Sequence, residues 1–87
     1  MKPYRIKHIP TGLYYKPGEV NLSKNGKIYQ PGCNVLTTYH NHITVSAPKG
    51  SKIHEATKDK IQWEPRRYKS YVCIANLPIT EFEKEEL

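Results

Sequence analysis

One stretch decides the fold of this chain, and it reads Ile9-Pro10-Thr11-Gly12-Leu13-Tyr14-Tyr15-Lys16-Pro17-Gly18-Glu19-Val20-Asn21-Leu22-Ser23-Lys24-Asn25-Gly26-Lys27-Ile28-Tyr29. Three turn signals punctuate it, ending at Gly12, Gly18 and Gly26. Glycine supplies the positive φ angles of tight turns, and Asn-Gly is the strongest short hairpin signal. We therefore expect short antiparallel strands joined by tight turns, with basic and tyrosine side chains between them.

Strands are predicted on both sides of this stretch. Residues 4–9 alternate apolar and basic side chains, which places Tyr4 and Ile6 inward and pairs them with residues 13–15 in a hairpin. Further strands are predicted at Val20–Leu22, Lys27–Tyr29, Val35–Tyr39, Ile43–Ser46, Ile61–Trp63, Tyr68–Ala75 and Ile79–Glu83. Val20–Leu22 and Lys27–Tyr29 flank Asn25-Gly26, the turn of a predicted second hairpin. Val35–Tyr39 and Ile43–Ser46 form either a third hairpin or one long bent strand.

The remaining segments complete the predicted architecture. Residues 51–60 are the only helix candidate, with Ser51 as its cap, although a basic loop fits equally well. Pro65-Arg66-Arg67 should interrupt the chain, Trp63 should anchor the core, and residues 68–75 suit a central strand buried on both faces. The fold class is therefore mainly β (or α+β), a single small antiparallel sheet or partly open barrel of five to seven short strands with at most one short helix.

The charge is unevenly distributed. The 87 residues contain 14 Lys and Arg, eight Asp and Glu, and a formal net charge of +6. Four of the acids lie in residues 81–87, so residues 1–80 have 13 basic and four acidic side chains, a net charge of +9. We predict a basic β-rich domain over residues 1–80 and an acidic tail over residues 81–87. Such a domain suits a polyanionic partner, although charges that only keep the protein in solution are the simpler alternative.

The length of the chain and its cysteine content indicate the size of the core and the cellular compartment. A chain of 87 residues with seven tyrosines predicts one thin core, and a homodimer sharing core surface is a reasonable expectation. Cys33 and Cys73 do not make a disulfide framework, and we expect both to be small core residues in a reducing cytoplasm. No apolar run approaches the length of a membrane span.

A basic and aromatic set of residues is the candidate nucleic-acid site. The predicted phosphate contacts are Arg5, Lys7, Lys24, Lys27, Arg66, Arg67 and Lys69, and the predicted stacking or turn-bracing residues are Tyr14, Tyr15 and Tyr29. RNA-binding proteins combine such cations with aromatic rings on which unstacked bases lie. Residues 66–69 are the densest cluster. The alternative is that the tyrosines line the core margin and the lysines form a solvated face.

Metal and catalytic chemistry have weaker support. His40 and His42 could meet one ion together with Cys33 or Cys73, but no paired Cys-x-x-Cys or His-x-x-x-His spacing is present. The four histidines could supply a ribonuclease with an acid and a base, but no spacing links them to each other or to a nucleophile. We predict no metal, no cofactor and no enzymatic activity.

Residues 11–15 and 21–29 together resemble a segment of small early proteins of tailed bacteriophages, TGLYY followed by NLSKxGKxY. Leu77–Glu83 is similar to the C-terminal strand of that group, whereas Pro31-Gly32 departs from it where a helix is usual. Size and basicity are also similar to those of the toxin-inhibitory factors of T-even phages, which block the ToxN endoribonuclease together with RNA. The resemblance implies a phage-encoded, RNA-binding anti-defence protein in the host cytoplasm that inhibits a ribonuclease toxin of a toxin–antitoxin system. The alternative is a protein-only inhibitor of a host enzyme.

Overall fold

The computed structural model describes residues 2–18, 20–33 and 41–87, and their strands form two antiparallel sheets. In chain order the elements are β1 (Tyr4–His8), β2 (Leu13–Tyr15), β3 (Leu22–Ser23), β4 (His42–Pro48), helix α1 (Lys52–Thr57), β5 (Glu64–Arg66), β6 (Lys69–Pro78), a 3-10 turn (Ile79–Glu81) and β7 (Phe82–Glu86). The strand order is β3-β2-β1-β7 in one sheet and β4-β6-β5 in the other. The predicted strand Val35–Tyr39 and His40 lie outside the described residues.

The prediction of a mainly β chain is confirmed. The described residues contain seven strands and one short helix, and the two sheets do not close into a barrel within this part of the chain. Both sheets contribute to one core, whose most deeply buried apolar side chains are Ile6, Leu22, Ile43 and Val45. No helix of the described residues has the length and apolar character needed to cross a membrane.

The first predicted hairpin is present. Tyr4, Ile6 and His8 of β1 are buried and alternate with half-buried Arg5 and Lys7, as the sequence pattern predicts. β1 and β2 pair in antiparallel register, and the turn closes where the Gly12 amide donates to the His8 carbonyl at 2.8 Å. This hairpin forms the centre of the four-stranded sheet.

The strand that was predicted to leave the Asn25-Gly26 turn is not formed, which corrects the prediction for Lys27–Tyr29. Only Tyr29 pairs, and its partner is Tyr4 of β1, with backbone hydrogen bonds of 2.9 and 2.7 Å. The reason is that β2 ends at Tyr15, so the N-terminal half of β1 has an open edge there. Residues 27–29 cross to that edge instead of pairing with β3.

The acidic C-terminal segment lies in the sheet. We predicted a domain over residues 1–80 followed by an acidic tail over residues 81–87, and the structure pairs β7 with β1 from Tyr4↔Glu86 to His8↔Phe82. Phe82 is buried in the core, and the acids of β7 lie beside the cations of β1. Residues 82–86 are therefore an integral edge strand of the four-stranded sheet.

β6 is the central strand of the second sheet, as predicted, but it is buried on one face only. Cys73, Ala75 and Leu77 are buried, whereas Asn76 is exposed and Ile74 is half-buried. The prediction of burial on both faces was wrong because only the face toward the four-stranded sheet is covered. Pro65 lies within β5, an edge strand, where a missing backbone donor is tolerated. The predicted interruption at residues 65–67 appears as a shift of the β5–β6 register between Pro65 and Arg66 and as the end of β5 at Arg66.

Of the two alternatives for residues 51–60, the structure has the helix, which extends over Lys52–Thr57. The Ser51 hydroxyl accepts from the His54 amide at 3.3 Å and so caps the helix. His54 and Thr57 are buried, and the Trp63 indole donates to the Thr57 hydroxyl at 2.9 Å. Trp63 therefore packs against the core, half-buried, and holds the helix there.

The two cysteines differ, which corrects the prediction that both are core residues. Cys73 is buried in β6, whereas Cys33 is exposed. Cys33 follows the surface turn at Pro31 and Gly32, and its carbonyl accepts a hydrogen bond from the Tyr4 hydroxyl. The backbone at Cys33, rather than its thiol, makes the contact with the core.

Candidate nucleic-acid interface

The predicted binding residues are divided among three places. Arg5, Lys7 and Tyr14 lie on β1 and β2, Lys24 and Lys27 lie around the turn after β3, and Arg66 and Arg67 lie at the β5–β6 turn. The Lys69 side chain is outside the described part of the structure. The basic residues therefore do not form one continuous set on one sheet.

Glu85 of β7 partly offsets the positive charge of Arg5 and Lys7 on β1. Arg5 Nη2 lies 3.4 Å from Glu85 Oε1, and Lys7 Nζ lies 3.8 Å from Oε2. The Tyr14 hydroxyl donates to Oε1 at 2.7 Å, and the Arg5 guanidinium carbon lies 4.3 Å from the centre of the Tyr14 ring. One carboxylate thus engages three of the predicted binding residues, which stabilises the sheet and reduces their attraction for phosphate.

This contact shifts the pKa of both partners. The hydrogen bond from Tyr14, with smaller contributions from Lys7 and Arg5, lowers the pKa of Glu85 below its usual value. The same hydrogen bond favours the protonated phenol and raises the pKa of Tyr14. The Tyr14–Glu85 pair is therefore held in its hydrogen-bonded form, with the carboxylate ionised and the phenol neutral, across the neutral pH range.

Tyr14→Phe is expected to raise the pKa of Glu85 toward that of an ordinary glutamate. Because the pKa of Glu85 is lower in the folded than in the unfolded chain, its stabilising contribution is present above the unfolded pKa and is lost as pH falls through the folded pKa. The variant should be less stable than the parent at neutral pH and should approach it once Glu85 is protonated. NMR titration of the Glu85 carboxyl and urea unfolding at several pH values measure both effects. Tyr68→Phe, which removes an exposed hydroxyl, is the control; an unchanged Glu85 titration in Tyr14→Phe would contradict the assignment.

Two of the three tyrosines that were predicted to stack on bases or brace turns are part of the hydrophobic core. Tyr15 and Tyr29 are each only 8% exposed, and both belong to the core. The Tyr29 ring stacks on Tyr4 with centroids 5.6 Å apart, and Lys27 Nζ lies 5.3 Å from the Tyr29 ring centre. These rings brace the turns rather than present a face to a base.

The β5–β6 hairpin presents two exposed tyrosine rings together with two exposed arginines. Tyr68 is 87% exposed and Tyr71 is 65% exposed. The Arg67 guanidinium carbon lies 5.4 Å from the Tyr68 ring centre, and both Arg66 and Arg67 are exposed. Neither arginine makes an ion pair with any acid in the described ranges. Their charges are therefore available to an external anion.

Lys49, which directly follows β4, lies next to this end of the β5–β6 hairpin. Its amide donates to the Tyr71 carbonyl at 2.8 Å, beside the Pro48↔Val72 pair, and its side chain is exposed. We call Lys49, Arg66, Arg67, Tyr68 and Tyr71 the hairpin-tip cluster. The density of basic residues singles out residues 66–69 in the sequence, whereas the sequence pattern places Tyr71 in a buried central strand and does not single out Lys49. The antiparallel pairing of β4 with β6 brings Lys49 next to Tyr71.

Two of the described histidines, His8 and His54, take structural positions, whereas His42 is exposed at the start of β4. His8 is fully buried, with Nδ1 2.8 Å from the Thr11 hydroxyl and Nε2 2.9 Å from Glu81. It joins the β1–β2 turn to the 3-10 turn before β7. The Gly50 amide donates to His54 Nδ1 at 3.0 Å, ahead of the helix. Among the described residues, no three His, Cys, Asp or Glu side chains are grouped as metal ligands.

Comparison with known proteins adds no relative. No protein family, curated protein or solved structure matches the chain. The likeness of residues 11–15 and 21–29 to small phage early proteins stays a prediction. The function is therefore inferred from the geometry and charge of the hairpin-tip cluster.

Proposed function

We propose that this chain is a non-enzymatic protein that binds single-stranded RNA through the hairpin-tip cluster. The observation that carries the proposal is the 87% exposure of Tyr68 beside the Arg67 guanidinium, which has no acidic partner in the described residues. Aromatic rings are usually buried in small domains, and an exposed ring provides a platform on which an unpaired base stacks. Arginine beside it binds phosphate through two parallel hydrogen bonds.

The arrangement favours single strands over duplexes. A duplex hides the faces of its bases, whereas Tyr68 and Tyr71 present ring surface at the end of one hairpin. Lys49, Arg66 and Arg67 supply positive charge around those rings, which suits a backbone running past them. The cluster itself does not distinguish RNA from DNA. RNA is proposed because of the resemblance to small phage proteins.

The phage resemblance narrows the proposal further. We propose that the protein is phage-encoded and, in the host cytoplasm, uses bound RNA to inhibit a ribonuclease toxin of a toxin–antitoxin system. An RNA-binding face without a catalytic centre suits such a role, because inhibition requires holding RNA and not cleaving it. The homodimer expected from the small core is part of the same proposal and is measured by the sedimentation of the free chain.

A protein-only inhibitor is the second candidate. Tyrosine and arginine are also the residues enriched in the energetically dominant parts of protein interfaces, so the same cluster suits an acidic host protein. The two candidates differ in what copurifies with the chain. RNA binding predicts a raised 260/280 nm absorbance ratio that nuclease treatment abolishes, whereas the protein-only alternative predicts a host protein whose capture survives nuclease.

Reversing both arginines at the tip, Arg66→Glu with Arg67→Glu, is expected to weaken RNA binding about 10- to 100-fold, since each phosphate contact is replaced by repulsion. The measurement is fluorescence anisotropy with a labelled uridine oligonucleotide over a range of salt concentrations. Loss of two phosphate contacts should reduce the slope of log K against log salt by about 1.4.

The matched control is Lys24→Glu with Lys27→Glu, which changes the net charge equally at exposed lysines away from the tip. This control should weaken binding only a few-fold, through long-range electrostatics. Equal losses in the two double variants would contradict a site at the hairpin tip. RNA affinity that is unchanged by both salt and the Arg66 and Arg67 reversals would contradict RNA binding through phosphate contacts.

A further inference from the structure

A small pocket lies in the second sheet, in the same hairpin as the proposed RNA contact. It has a volume of about 160 Å³ and is lined by Gln62, Glu64, Ile74, Ala75 and Asn76. Glu64 of β5 is paired with Ile74 of β6, Asn76 lies further along β6, and Gln62 lies two residues before Glu64. The pocket therefore lies at the start of β5, and the Arg67–Tyr68 turn closes the same hairpin beyond a register shift between Pro65 and Arg66.

The pocket combines a small apolar surface with exposed polar groups. Half-buried Ile74 supplies apolar side-chain surface, whereas Ala75 belongs to the core. The Glu64 carboxylate and the Gln62 amide are exposed and have no hydrogen bond or ion pair within the described residues. The Asn76 carbonyl oxygen accepts from the Thr44 hydroxyl at 2.7 Å, which fixes the Asn76 side chain and leaves its amide hydrogens to donate. The lining therefore offers one carboxylate acceptor together with amide donors.

We propose that this pocket binds a single unpaired nucleobase, with a preference for guanine, and so gives sequence selectivity to RNA held at the hairpin tip. The inference rests on the proposed function. Guanine presents two adjacent N–H donors, N1–H and the 2-amino group, which match the two oxygens of the Glu64 carboxylate. Its O6 accepts from an amide such as that of Asn76 or Gln62. Base recognition by hydrogen bonds to the Watson–Crick edge over an apolar surface is the usual mode for unpaired RNA.

The other bases fit this lining less well. Adenine places the N1 lone pair where guanine has N1–H, so the Glu64 carboxylate would face an acceptor. Uracil and cytosine offer one donor group to that carboxylate and less ring surface to Ile74. A hard metal cation is also disfavoured, because Glu64 is the only charged oxygen ligand in the lining and such ions require several.

The test uses uridine oligonucleotides with one central guanosine, adenosine, cytidine or inosine, measured by fluorescence anisotropy against the parent protein. The guanosine oligonucleotide should bind about tenfold more tightly than the adenosine one. Inosine, which lacks the 2-amino group, should bind with intermediate affinity, and this comparison needs no variant. Glu64→Gln should reduce the guanosine preference to within about twofold while leaving the affinity for plain oligouridine equal or higher, since it removes a negative charge.

Glu86→Gln is the matched control, because it neutralises an exposed acid at the end of β7, in the other sheet, and should keep the guanosine preference. Salt-dependent RNA binding without a guanosine preference, or a preference that survives Glu64→Gln in a folded variant, would overturn the base pocket and leave the hairpin-tip site standing. An absence of RNA binding by the parent protein would overturn both.

Discussion

Replacing Gly26 by Ala is expected to destabilise the protein by about 2–5 kcal/mol, the sum of a strained backbone and an overpacked contact. Gly26 has φ +66°, a left-handed conformation that a residue with a Cβ adopts only at a cost. A Cβ at this position would lie 2.4 Å from Tyr14 Cβ and 3.1 Å from the Tyr15 carbonyl oxygen. Neither neighbour can withdraw cheaply, because both atoms are fixed by β2.

Gly12→Ala separates the two contributions to that loss. Gly12 has a similar φ of +72°, but nothing lies within 4 Å of its added Cβ. It should therefore show only the backbone cost, about 1–2 kcal/mol. Urea unfolding of the parent and both variants gives the three free energies, and their difference is the steric contribution. Equal losses at Gly12 and Gly26 would contradict the close approach of the Gly26 turn to β2.

The Gly26 turn also shows how far local sequence patterns reach. Asn25-Gly26 predicts a tight turn, and the chain does turn there, with the Gly26 amide donating to the Ser23 hydroxyl at 2.7 Å. The same pattern predicts that the outgoing residues pair with the incoming strand, and instead Tyr29 pairs with Tyr4. Whether a tight turn forms depends on the residues of the turn itself. Which strand pairs with the residues after the turn depends on which strand edges are open elsewhere in the sheet. That edge exists only because β2 is three residues long.

The ion pairs of the four-stranded sheet could not be predicted from the sequence for a similar reason. Composition assigns the acids of residues 81–87 to a tail and the cations of β1 to a binding face. The β1–β7 pairing joins the two ends of the chain and places Glu85 against Arg5 and Lys7. No pattern within a short window indicates such a contact. The cluster at residues 66–69 was found from sequence because its members are consecutive and need no distant partner to come together.

Asn21→Ala is expected to cost about 2–4 kcal/mol, because one side chain joins the two sheets with its full hydrogen-bonding capacity. The Asn21 carbonyl oxygen accepts from the Ser46 amide at 2.8 Å and from the Ser46 hydroxyl at 3.0 Å. Its amide group donates to the carbonyls of Lys16 and Gly18, both at 3.1 Å. The two bonds to Ser46 connect the β2–β3 turn to β4, and the other two hold that turn together. Alanine removes all four, while the Asn21 backbone bond to Ser46 is retained.

Asn25→Ala is the matched control, since Asn25 is exposed and its side chain makes no hydrogen bond within the described part of the chain. It should change stability by less than about 0.5 kcal/mol. Both variants are measured by urea unfolding and, while folded, by RNA anisotropy. The hairpin-tip cluster belongs to β4, β5 and β6, so the folded Asn21→Ala protein should keep the RNA affinity of the parent. A loss of stability no larger than that of Asn25→Ala would show that the sheets are held together by the shared core, without a net contribution from this polar junction.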